Sequence, residues 1–246
     1  MKNLVIFDLE TTGVDRTKDQ IIQFAAIKVN PETNTVLDSK NMYIRPQGKF
    51  EITIQAYCKH GITAKFLEDK PYFADVAKEI YDFFEDADLI TYNGNNFDIP
   101  FLITEFAKVG LEFDVMSRNC YDTFVEERRR NGIKLVDTYK RYKGKSMEEA
   151  GLNAHDALSD VKATYTVFYA QQKNKPYGPE KILTLDSVIT MQLWNDKEEV
   201  PCFNIGKYRT MSVEFVASFD QNYIKWCAND SNFLPSTKEY IRKFLK

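Results

Sequence analysis

The stretch Val5-Ile6-Phe7-Asp8-Leu9-Glu10-Thr11-Thr12-Gly13 decides how this chain is read. Leu4 to Leu9 is apolar on both faces, the pattern of a central strand covered on each side. Its end carries two acids, Asp8 and Glu10. Side chains at i and i+2 of a strand point the same way. Two carboxylates therefore share a face that is otherwise apolar, and they repel each other unless something neutralises them. A divalent cation does this well, because Mg²⁺ and Mn²⁺ prefer carboxylate oxygens. The plainer alternative places both acids past the strand end, in water. Gly13 then permits a tight turn, with the amides of Thr11 and Thr12 able to approach an anion.

Two more strands follow, in "QIIQFAAIKVN" and "TVLDSKNMYIRP", joined by the turn-rich "NPETN" of a hairpin. "ITIQAYCKHGIT" reads as loop and short helix. Apolar residues at Phe73, Val76, Ala77, Ile80, Phe83 and Phe84 recur at spacings of three and four, which predicts an amphipathic helix. "DLITYN" is a short buried strand. "FDIPFLITEFAKVGL" is a helix that accommodates Pro100 in its first turn. Residues 120–151 mix short helices with charge, including the basic "EERRRNGIK". A last helix runs from Ala157 to Gln172, with Val161, Thr164, Tyr165 and Phe168 on one stripe. Strands followed by alternating helix and strand predict an α/β domain over residues 1–174. "KNKPYGPEK" opens a linker over 175–199. Residues 200–246 form a small module, with a hairpin turning at Gly206-Lys207 and a helix through "SVEFVASFDQNYIKWCAN".

The bulk composition narrows the function classes. The 246 residues are 43% hydrophobic and carry a net charge of −3, which argues against a broadly basic nucleic-acid binder. An enzyme that meets phosphate through metal ions is compatible with that charge. No apolar run is long enough for a bilayer, and the apolar run of the N-terminus is too short for a signal peptide. The expected location is cytoplasmic, with no membrane partner. Cys58, Cys120, Cys202 and Cys227 lack metal-site spacing and read as reduced thiols.

Two further acid motifs follow the first. In "YNGNNFDIPFL", Asp98 stands at a helix start, where a cap or first-turn acid is worth about 1 kcal/mol. It could equally supply a third carboxylate near the ends of neighbouring strands. In "AHDALSDVKAT", His155 precedes Asp160 by five residues. Within one helix these would lie about 140° apart. They converge only if His155 sits in the loop before the helix, with Asp156 near the cap.

Taken jointly, "FDLETTG", "NGNNFDIPFL" and "HDALSDVKAT" resemble the three motifs of the DEDDh 3′–5′ exonucleases, the group of the DNA polymerase III epsilon subunit. The likeness covers residues 3 to 172. It implies a ribonuclease H-like α/β fold, a mixed central sheet flanked by helices. It implies two divalent cations, Mg²⁺ or Mn²⁺, about 3.5–4 Å apart on Asp8, Glu10, Asp98 and Asp160. His155 takes the proton from the attacking water, a task its ordinary pKa of about 6.5 suits. Thr11, Thr12, Asn93 and Phe97 contact the substrate. The product is a nucleoside 5′-monophosphate, released from the 3′ end of single-stranded DNA in proofreading or repair. RNA or short oligonucleotides are the alternative substrate, and a non-catalytic docking module is the alternative role. The tail is similar to the C-terminal module of exodeoxyribonuclease X-like proteins, and is expected to dock on the first domain, a DNA polymerase or a repair protein. His60, Asp122 and Asp137 are the rival residues and are given structural or peripheral roles. The run Arg128 to Arg130 reads as a solvated face, and Trp194 and Trp226 as packing residues.

Overall fold

The computed structural model describes residues 2–16, 18–115, 117–128, 134–174, 193–195, 201–203, 207–208, 211–231, 233 and 235–246. They fall into two compact units, Met1–Glu105 with Ser117–Lys181, and Phe106–Met116 with Ile182–Lys246.

The first unit is built on a five-stranded sheet in the order β3-β2-β1-β4-β5. The strands are β1 (Asn3–Thr11), β2 (Ile21–Asn30), β3 (Thr35–Tyr43), β4 (Ala87–Thr91) and β5 (Cys120–Asp122). β1 lies in the middle, antiparallel to β2 and parallel to β4. The strand-then-alternating pattern predicted an α/β domain, and the mixed sheet is the one that the resemblance implied. The β2–β3 turn falls on Pro31–Asn34, where Asn30 Oδ1 accepts from the amides of Glu32 and Thr33. β5 escaped the sequence reading: three residues are too few to show an alternation.

The strand period sorts β1 between two layers. Phe7 points to one face and meets Phe84 edge-on at 5.1 Å, beside Phe24. Leu4 and Ile6 point to the other, where they pack with Ala25, Ile27, Val29 and Ile90 against Ala157, Val161 and Phe168. Those last three belong to α6 (Ala157–Asn174), the longest helix among the described residues. The row Leu4, Ile6, Asp8, Glu10 therefore runs along the α6 side of the sheet, and its apolar half is what seats that helix. The other α-helices described in this unit are α1 (Ile54–His60), α2 (Phe73–Phe83), α4 (Thr123–Arg128), α5 (Leu135–Lys143) and α3 (Asp98–Lys108), whose last residues from Phe106 fall in the second unit.

In the second unit, strands Leu193–Asn195 and Pro201–Phe203 pair antiparallel. The turn expected at Gly206-Lys207 lies partly outside the described residues. Among the described residues, Cys202 and Ser212 form an antiparallel bridge. The helix expected through Ser212–Asn229 is two helices, Val213–Phe219 and Gln221–Asn229. Asp220 breaks it: its backbone, φ −128° and ψ 72°, leaves the helical region, and its Oδ1 accepts from the Tyr223 amide to cap the second helix at 3.0 Å. Val213, Val216, Ala217, Ile224, Cys227, Phe233 and Ile241 form this unit's own core with Phe203. Arg129 and Arg130 of the basic run lie outside the described residues, and Arg128 ends α4.

Candidate active site

The site begins where the apolar row of β1 gives out. Beyond Ile6 the same face presents Asp8 and Glu10, and the first turn of α6 presents Asp160. One carboxylate oxygen from each of the three lies within 4.8 Å of the other two. Asp98 opens α3 immediately after the β4 loop, and its Oδ1 accepts from the Leu9 amide at 3.0 Å, which ties it to the same strand. A strand, a helix start after the neighbouring strand, and the last helix of the unit thus deliver four acids to one place.

Other buried acids in this unit are matched with donors. Asp122 accepts from the amides of Asn93, Asn95 and Phe124. Glu127 accepts from Arg141, Tyr142 and Gln171. Asp88 accepts from the amide and side chain of Asn119. Asp8 and Glu10 instead face further acids. Burial, followed by the charges of Asp98, Glu10 and Asp160, pushes Asp8 well above the usual carboxylate range. Burial, then Asp160 and Asp98, pushes Glu10 up to about 8, with Lys59 pulling the other way. Burial raises Asp98 and Asp160 to about 7 each. Like charges gathered in a partly dry cleft require a counter-charge. A set of hard carboxylate oxygens fits a divalent cation such as Mg²⁺ or Mn²⁺.

His155 precedes α6 rather than lying in it. Its backbone takes the left-handed conformation, φ 64°, and its amide donates to Asp160 Oδ2 at 3.2 Å. Asp156 caps the helix by accepting from the amide and hydroxyl of Ser159. This resolves the helical mismatch: the turn swings an exposed imidazole to the cleft rim while Asp160 points inward. Desolvation and the cations Lys59 and Lys134 hold His155 below its ordinary value.

The cleft has a volume of about 270 Å³. Thr11, Asn93 and Phe97 line it together with the acids and His155. Thr12 does not. Its hydroxyl donates to Asp19 Oδ1 at 2.9 Å and accepts from the Gln20 amide, so it closes the loop after β1. Asn93 has φ 65° and its amide is held by Asp122, which places that rival acid as the anchor of the loop before α3. Asp137 lies in the first turn of α5.

Sequence reasoning missed the contribution of α1. The Thr53 amide donates to the Thr12 carbonyl at 2.8 Å, and this puts Gln55, Lys59 and His60 on the cleft wall. A seven-residue helix with no buried residue leaves no periodic signal. His60, judged peripheral, lines the cleft, with Nδ1 accepting from the Ile62 amide.

Comparison with known proteins agrees with this architecture. The exonuclease family (RNase_T) matches residues 5–168. The chain belongs to the DEDDh exonucleases, within the ribonuclease H-like superfamily. The DNA polymerase III epsilon subunit of Rickettsia typhi is 33% identical over 175 residues, which cover 68% of this chain and 72% of that protein. The PolC-type DNA polymerase III of Caldanaerobacter subterraneus is 27% identical over 208 residues, 82% of this chain and 14% of that one. Exonuclease I of E. coli, solved with a dT13 oligonucleotide, superposes with a TM-score of 0.61 at 21% identity, over 72% of this chain and 42% of its own. That likeness concerns the fold. This DEDDh exonuclease therefore spans a small part of the PolC-type enzyme and less than half of exonuclease I. Among its described residues, no helix is long and apolar enough to cross a membrane.

Proposed function

We propose that this chain is a metal-dependent 3′–5′ exonuclease that removes nucleoside 5′-monophosphates from single-stranded DNA in the cytoplasm, in proofreading or repair. Residues 1–174 carry the reaction and residues 200–246 are a separate module. The observation that carries this reading is the convergence of Asp8, Glu10 and Asp160 on oxygens within 4.8 Å of one another. Two divalent cations held by these acids and Asp98 would supply the charge that activates water and stabilises the leaving 3′ oxygen.

The chain's own groups supply the rest. His155, held below its ordinary pKa, is neutral near pH 7 and accepts the proton of the attacking water. Its left-handed turn and the Asp160 contact set its position at the rim. Thr11 and Asn93 contact the terminal nucleotide. Phe97, half-buried against Phe101, offers a ring to a base. Thr12 acts through the loop rather than by touching substrate.

The test is digestion of a 5′-labelled single-stranded DNA oligomer with Mn²⁺, beside its RNA counterpart and beside Asp8→Ala. A ladder shortening from the 3′ end of the DNA, lost in the variant, supports the reading. Preference for RNA would replace the substrate and keep the reaction. Intact strands of both kinds, with metal bound, would leave a docking module that has kept the fold.

A further inference from the structure

In the C-terminal unit five aromatic rings touch in series. Phe215 meets Phe219 at 5.2 Å between ring centres, and Phe219 meets Tyr208 at 5.4 Å. Tyr208 meets Tyr223 at 4.8 Å, and Tyr223 meets Trp226 at 5.7 Å. The middle of the ladder is anchored, since Tyr223 packs on the buried ring of Phe203. Its ends are in water: Phe215 is 57% exposed, Phe219 54% and Trp226 48%. The helix period explains this. Val213, Val216 and Ala217 fill the core, and Phe215 and Phe219, one turn apart, are left outside. The expectation that Trp226 is a packing residue therefore fails for half of its surface. A contiguous exposed apolar patch on a small folded unit marks a contact surface.

Charge identifies the occupant. Residues 201–246 contain seven Lys and Arg against four Asp and Glu, although the whole chain nets −3. Lys207 Nζ stands 4.6 Å over the Tyr208 ring. Lys225, also exposed, precedes Trp226 in the sequence of the same helix. Asp220, beside the ladder, is engaged: Oδ2 accepts from the Tyr208 hydroxyl at 2.6 Å and from Lys207, and Oδ1 caps a helix. Cations interleaved with exposed rings match a polyanion that carries free aromatic faces, which is a strand of unpaired bases. In a duplex those faces are already stacked.

We propose that the ladder Phe215–Phe219–Tyr208–Tyr223–Trp226 is a stacking platform for single-stranded nucleic acid, with Lys207 and Lys225 serving its phosphates. The platform goes beyond the proposed hydrolysis and does not depend on it. It gives the chain a second site for a strand, within the C-terminal unit.

The test is fluorescence anisotropy of a labelled dT30 with the full chain in EDTA. Without metal nothing is cut, and the Asp8 cluster repels phosphate. Trp226→Ala and Phe219→Ala should each weaken binding about 10-fold, and Trp226→Phe should restore most of it. Lys207→Ala and Lys225→Ala should each reduce the slope of log affinity against log salt by about 0.7. A duplex of equal length should bind more weakly than dT30, and Asp8→Ala should bind dT30 at least as tightly as the parent does. Unchanged dT30 affinity in both ring variants, with their circular dichroism intact, would overturn the proposal and leave the face to a protein partner. Loss of binding in Asp8→Ala but not in Trp226→Ala would overturn it too, while leaving the exonuclease reading in place.

Discussion

Raising the pH from 5 to 8 in the absence of divalent metal should destabilise the protein, and the carboxylate row sets the size of the effect. Glu10 is raised from 4.5 to about 8, and Asp98 and Asp160 from 3.8 to about 7. The unfolded chain has therefore released these protons near pH 5, while the native chain still holds them. A native state that binds more protons than the unfolded state loses stability as pH rises. The loss starts above the unfolded values and is complete above the native ones. These acids titrate as a set. Counting one shared proton held across about two pH units gives roughly 3 kcal/mol. For a chain of this size that is a fall in Tm of about 6–12 °C. His60 and His155, both held below their ordinary value, act in the opposite sense and blunt the early part of the fall. Scanning calorimetry in EDTA at steps from pH 5 to 8 measures the slope. Repeating it with Mn²⁺ should abolish the fall, because the cation takes up the charge. Glu10→Gln should flatten the EDTA curve and raise Tm at pH 8 while abolishing cleavage. A Tm that stays level or climbs over this range in EDTA would refute the view that the row is uncompensated.

Three other substitutions separate chemistry from support. His155→Ala should lower single-turnover cleavage by about 10²–10⁴-fold and leave the Mn²⁺-bound Tm nearly unchanged, because its side chain is exposed. Asp122→Ala strands the amides of Asn93 and Asn95, and should cost about 2–4 kcal/mol in a denaturant titration, with Asp122→Asn costing less. Gly94→Ala brings a Cβ to within 2.4 Å of the buried Thr91 Cβ. It should destabilise by about 1–3 kcal/mol and slow cleavage by shifting the loop that sets Asp98.

The central sheet was legible because β1 and β2 have strong apolar patterns and a turn between β2 and β3 with its own chemistry. The acids were legible because strand period two puts Asp8 and Glu10 on one face before any tertiary contact is known. Asp160 and His155 were harder. Their spacing is wrong for a helix, and only the left-handed backbone at His155 reconciles it. Thr12 differs from its neighbours on the cleft in that its hydroxyl is committed to Asp19, seven residues away, a pairing that the motif does not reveal. Lys59 and the wall formed by α1 could not be read, since one hydrogen bond, Thr53 to Thr12, places that helix. In the tail, the period predicted helix correctly and missed the break, because Asp220 acts through its side chain.

The seating of α6 on the Leu4–Ile6 row has a consequence for biosynthesis. Asp8 and Glu10 leave the ribosome long before Asp160. The carboxylates converge only after β4 has paired beside β1 and α6 has closed over the sheet. Until then a nascent chain holds Asp8, Glu10 and Asp98 but lacks Asp160 and His155. On the proposed reading, a chain made in this order gains its hydrolytic centre only once residues 155–160 have folded onto β1.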